Sequence, residues 1–166
     1  MERTFDGVVL GTDGVTAALR RLVATEADWG ATIARVALGL VMLPHGLQKT
    51  LGLFGGHGFD GTMGYLTGTI GLPAALAFLV IAAESVGALG LIVGALGRVA
   101  AAGIGAVMLG AIASVHWANG FFMNWAGTGA GEGFEYHLLA LALVAVVVRA
   151  GSGAASVDRT LASRLA

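Results

Sequence analysis

The sequence predicts an all-α membrane protein, a bundle of four transmembrane helices preceded by an amphipathic interfacial helix, with both termini cytoplasmic. Three observations carry this. Of 166 residues, 57% are hydrophobic and 11% charged, where a soluble domain carries about 25% charged residues. The apolar residues gather in four long stretches, and the mean hydropathy is +0.85. Nearly every Lys and Arg falls on one side of a four-span arrangement, which sets orientation.

Residues 1–28 form the first region, a cytoplasmic amphipathic segment. Val15, Leu19, Leu22 and Val23 share a helical face opposite Arg20 and Arg21, a pattern suited to the membrane interface. Residues 1–10 carry Glu2 and Asp6 and no apolar core, unlike a cleaved signal peptide. Residues 29–150 form the transmembrane domain. Its first span is predicted over 29–49, opened by Trp29, an interfacial residue type. A glycine-rich loop over 52–71 follows, long enough for a re-entrant or interfacial segment. Pro73 suits the first turn of a second span, predicted over 73–95. The Gly97-Arg98 turn leads into a third span over 98–117. After a polar, aromatic loop, a short fourth span is predicted over 134–149, about 24 Å long. Residues 151–166 form a cytoplasmic tail that begins with the breaker Gly151-Ser152-Gly153.

In this arrangement Arg3, Arg20, Arg21, Arg98, Arg149, Arg159 and Arg164 lie on one side, and Lys49 alone on the other. Both termini are therefore expected inside and the two longer loops outside. Ala102, Ala106, Gly110 and Ser114 repeat every four residues on the third span, and Gly90 and Gly94 form a GxxxG on the second. Such stripes favour close helix contact, within the bundle or in a homo-oligomer. A short echo also exists: Arg35-Val36-Ala37 and Arg98-Val99-Ala100 open similar segments.

Composition excludes several functions. The net charge of −1 gives no basic field for nucleic acid. With no cysteine, disulfides, thiolate metal sites and cysteine-ligated iron–sulfur clusters are ruled out. The glycine-rich stretch from Phe54 lacks the Lys-Ser/Thr ending of a phosphate loop.

Ionisable residues within apolar spans are the pointers to function, because burying a charge in hydrocarbon is costly. Helix direction sorts them by depth. Arg35 and Glu84 lie deep, and an Arg35–Glu84 ion pair is the expected structural element. His45 and Lys49 end the first span, His116 and Asn119 end the third, and Glu135 and His137 open the fourth. All are expected at the outer end, with Asn124 and Glu132 above them. Glu135 and His137 are two residues apart and point in different directions on a helix; Glu135 is the better acid–base candidate. His57 reads as an exposed loop residue. Phe121, Phe122 and Trp125 suit a lid or, better, an aromatic interface belt.

Three site types fit the cluster. A quinone would lie between helices with polar groups at its carbonyls and a proton relay nearby. Haem or a metal would use His45, His116 and His137, a weak signal because no HxxxH pair occurs, and no metal set is assigned. The third is recognition of a small polar solute without chemistry.

The segment 35–49, RVALGLVMLPHGLQK, with Phe54-Gly55-Gly56 after it, resembles the first helix of the DoxX family. So do Gly71-Leu72-Pro73, Ala83-Glu84-Ser85-Val86-Gly87, Gly133-Phe134-Glu135-Tyr136-His137-Leu138, and the ending from Gly151 to Asp158, G-x-G-x-x-S-x-D. The resemblance implies a four-helix protein of the bacterial or archaeal inner membrane, associated with quinone-linked oxidoreductases and their redox-protein subunits. Its matching positions are Arg35, His45, Lys49, Glu84 and Glu135. The expected roles are Glu84 and Glu135 as catalytic proton carriers, and His45, Lys49, His116, Asn119 and His137 as ligand-binding groups. The alternative is a non-enzymatic scaffold or solute-binding protein whose buried charges are structural.

Overall fold

The computed structural model describes residues 12–165, with side chains from residue 14 on, so Arg3 and the first eleven residues of the N-terminal segment lie outside it. The described residues form seven helices and no strand. In chain order, α1 is Thr12–Val23 and α2 is Trp29–Leu51. Helix α3 is Gly58–Gly64, running on into a π turn at Tyr65–Thr69. Helix α4 is Ala74–Val93 and α5 is Gly97–Asn119. Helix α6 is Glu135–Ala150 and α7 is Val157–Leu165.

Helices α2, α4 and α5 are long and apolar enough to cross a membrane. Their ends fall close to the expected boundaries, and local chemistry explains them. The Asp28 side chain accepts the Gly30 N–H at 2.7 Å and caps α2. Gly52 ends it at φ 71°, a left-handed conformation that glycine adopts at low cost. Pro73 precedes α4. The glycine-rich loop, expected to be long enough for a re-entrant or interfacial segment, contains helix α3.

Helix α2 packs antiparallel on α4, and α5 antiparallel on α6, with α2 also against α6. Leu38, Met42, Leu91, Ile104, Met108, Val144 and Val147 make the core between them. Two glycines set the α2–α4 crossing. A Cβ on Gly39 would lie 2.8 Å from the Ala88 carbonyl oxygen. On Gly46 it would lie 2.3 Å from the Glu84 carbonyl oxygen and 2.6 Å from the Ser85 Cα.

The expected packing stripe is rotated out of the bundle. Ala102, Ala106, Gly110 and Ser114 are all exposed, and the buried face of α5 carries Gly97, Ala101, Ile104, Gly105 and Met108 instead. Small residues occur on both faces of this helix, so their spacing alone does not select one. Gly94 ends α4 at φ 73°, and a Cβ there would lie 2.5 Å from the Ser156 Cβ and 2.9 Å from the Arg35 Cζ.

The C-terminal tail, residues 151–165, folds back and binds the α4–α5 turn. Asp158, buried at the start of α7, accepts the Leu96 N–H at 2.8 Å and the Gly97 N–H at 3.0 Å. A carboxylate there complements the positive start of α5 and holds Leu96 at its positive φ of 50°. Ser152 Oγ donates to the same carboxylate at 2.6 Å.

Arg35 works from the other side of this turn. It is 1% exposed. Its guanidinium donates to the Leu91 and Ile92 carbonyls at 2.5 and 2.7 Å, to Ser152 O at 2.6 Å and to Ala155 O. Arg98 does the same for α6, donating to Val148 O at 2.9 Å and Arg149 O at 3.0 Å, and also to Ala24 O just after α1. Each arginine supplies donors to carbonyls in the last turn of a helix, where partners within the helix run out.

A polar site at the Lys49 end of the bundle

Antiparallel packing places residues 52–71, His116, the 120–134 loop and the start of α6 at one end. The centre of this end is an ion pair between Lys49 Nζ and Glu84 Oε2, whose side chains are 25% and 5% exposed. It replaces the expected Arg35–Glu84 pair. The reason is register: Gly46 lies against the Glu84 backbone, so Lys49 is one helical turn away. Arg35 is eleven residues back along α2, about 16 Å, and its donors are taken by carbonyls. Glu84 sits in a π turn, Ala83–Gly87, and such turns are frequent at functional sites.

Lys49 lines a groove of about 250 Å³ together with Gln48, Gly55, Gly56, His57, Thr62 and Tyr65. Gln48 Nε2 donates to the Phe54 carbonyl at 3.1 Å, tying the wall to α2. Gly56 permits this approach, since a Cβ there would lie 2.3 Å from Gln48 O. Sequence reasoning missed Gln48, Thr62 and Tyr65 as site residues. The available signal was the i, i+3 spacing of Thr62 and Tyr65, legible only once 58–69 is taken as a helix. His57 is exposed as expected, yet borders the groove.

The remaining polar residues form a line of rings. His45 and Tyr136 have centroids 6.3 Å apart, Tyr136 and His137 5.6 Å, and His137 and His116 4.2 Å. Tyr136 Oη donates to Met42 Sδ at 3.5 Å. His116 also lies in a π turn, Ile112–His116. Its Nδ1 is 2.8 Å from the Glu132 carbonyl; a carbonyl only accepts, so this nitrogen carries the hydrogen. His137 is 6% exposed, and its buried Nδ1 has no hydrogen-bond partner among the described residues.

The relation between Glu135 and His137 reverses the expected preference. His137 faces inward. Glu135 is half-buried and turns toward the loop, where Trp125 Nε1 donates to it at 3.4 Å. Asn119 Nδ2 donates to Glu132 O at 3.0 Å, and the Asn124 N–H to Glu132 Oε2 at 2.6 Å. Asn119, Asn124 and Glu132 thus brace the loop. Phe122 and Trp125 are exposed and do not line the groove; Phe121 packs edge-on against Phe134 at 5.6 Å.

Among the described residues, no group of three or more His, Asp or Glu side chains is placed to hold a metal ion. The groove wall offers an ammonium, an amide, hydroxyls and an imidazole.

Comparison with curated proteins and with solved structures gave no match. A family model, DoxX, matches residues 30–117. This stretch holds Arg35, Lys49, Glu84 and His116, and stops short of the α6 and C-terminal motifs. It covers more than half of the chain, which therefore belongs to the DoxX family.

Proposed function

We propose that this protein is a multi-pass subunit of the inner membrane that binds quinone and serves a quinone-linked oxidoreductase. It has four spans, both termini are cytoplasmic, and the Lys49 groove opens on the outer side. The observation that carries the reading is the Lys49–Glu84 pair beside the groove. The one-sided arginines support the orientation. Helix α6, at about 24 Å, spans with local bilayer thinning.

Bound quinone supplies a two-electron, two-proton acceptor, and the electrons come from a redox-protein partner. The chain's own residues bind and protonate. Lys49, Gln48 and Tyr65 orient the carbonyls. Glu84, the carboxylate paired with Lys49, passes protons from the open side of the groove to the nearest quinone oxygen. His45, His116 and His137, with Asn119 and Glu135 at the rim, connect this end to the loop. A short-tailed quinone titrated into purified protein tests the assignment. Binding should weaken at least tenfold in Lys49→Met and in Tyr65→Phe with Gln48→Leu. Unchanged affinity in both would sink it.

A second reading, a non-enzymatic scaffold, is favoured by the exposed Ala102, Ala106, Gly110 and Ser114 face, which suits homo-oligomer contact. A stable oligomer that purifies without a redox subunit and ignores quinone supports it over the first.

A further inference from the structure

The opposite end of the bundle holds a second concavity, about 380 Å³, between residues 154–156 and α7. Its polar lining is Arg159 with the hydroxyls of Ser156, Thr160 and Ser163. Among the described residues, no carboxylate lines it. Asp158, the adjacent acid, is buried with both oxygens engaged by Leu96, Gly97 and Ser152. Arg159 spends one of its five donors on the Ala154 carbonyl, at 3.2 Å. The hydroxyls of Ser156, Thr160 and Ser163 donate to the Gly153, Ser156 and Thr160 carbonyls, so the cradle's phosphate-binding group is the Arg159 guanidinium.

Two apolar stripes flank this cradle. Val157 and Leu161 are exposed one turn apart on α7. On α1, which packs against α7, Val15, Leu19 and Leu22 are exposed on one face. From residue 14 on, every exposed charge of the two helices is an arginine: Arg20, Arg21, Arg159 and Arg164. Apolar stripes edged with arginine, at the level where the long apolar helices stop, match the boundary between acyl chains and headgroups. Their charge is complementary to anionic lipid.

We propose that α1 and α7 together bind anionic phospholipid, with one lipid phosphate in the Arg159 cradle and the two apolar stripes against the acyl chains. The inference is independent of the quinone site. The test uses full-length protein in nanodiscs of phosphatidylcholine with and without phosphatidylglycerol, extracted into mild detergent, with retained lipid read by native mass spectrometry. Phosphatidylglycerol should be retained over phosphatidylcholine, and the preference should fall about fivefold for each arginine removed in Arg159→Gln with Arg164→Gln, and again in Arg20→Gln with Arg21→Gln. Arg149→Gln, outside both helices, should keep the preference. Equal retention of both lipids by the unaltered protein overturns the proposal, as does an unchanged preference in both double variants. Displacement of the lipid by inorganic phosphate alone would also overturn it, since the cradle would then be a free-phosphate site.

Discussion

Arg35 and Asp158 grip the α4–α5 turn from its two sides: the arginine holds the last carbonyls of α4, and the carboxylate holds the first N–H groups of α5. Each charge has the sign that its helix end attracts. Ser152 joins them, accepting from Arg35 through its carbonyl and donating to Asp158 through its hydroxyl.

This arrangement predicts that the tail is part of the folded bundle. Arg35→Lys loses the forked donors, and Asp158→Ala strands buried N–H groups. Each should cost about 3–5 kcal/mol, seen as a lower midpoint in detergent thermal melting. Truncation before Val157 should resemble Asp158→Ala.

The glycine crossing predicts a contrast. Gly46→Ala drives a methyl into the Glu84 and Ser85 backbone, which cannot give way as a side chain would. A loss of about 1–3 kcal/mol is expected. Gly110→Ala meets nothing within 4 Å and should stay within about 0.5 kcal/mol of the parent. Thermal melting of the two variants side by side checks this.

Removing one partner of the Lys49–Glu84 pair strands the other in a mostly buried place. Lys49→Met and Glu84→Leu should each destabilise, while the double variant recovers much of the loss. A double-mutant cycle in detergent melting measures it. Quinone binding should fail in the double variant even where stability returns.

His137 carries a buried nitrogen without a partner among the described residues, and such a group costs stability. His137→Leu should therefore melt at the same temperature as the parent or higher, by up to about 1 kcal/mol. Loss of quinone response in that more stable variant would mark the histidine as retained for function.

The membrane helices were legible because hydropathy, caps and turn residues agree along the chain: Asp28 before α2, Gly52 after it, Pro73 before α4. Helix direction sorted Lys49, His116 and His137 to one end. Rotation about each helix axis was not legible. Gly39 and Gly46 set a crossing that Ala102 and Gly110 were equally entitled to, and Lys49 rather than Arg35 meets Glu84 because of that crossing. The π turns at Glu84 and His116 add a residue to a turn with no sequence marker. Asp158 acts on a turn more than sixty residues earlier, and its role depends on a fold-back that hydropathy does not report.

The matched caps of Arg35 and Arg98 have a last consequence. Each arginine sits in the first helix of a hairpin and closes the second, α2 with α4 and α5 with α6, so two hairpins are fastened by the same device. Fourteen residues after Arg35 comes Lys49; fourteen after Arg98 comes Ile112. One half carries the ion pair, and its counterpart is free to serve as the wall it leans on.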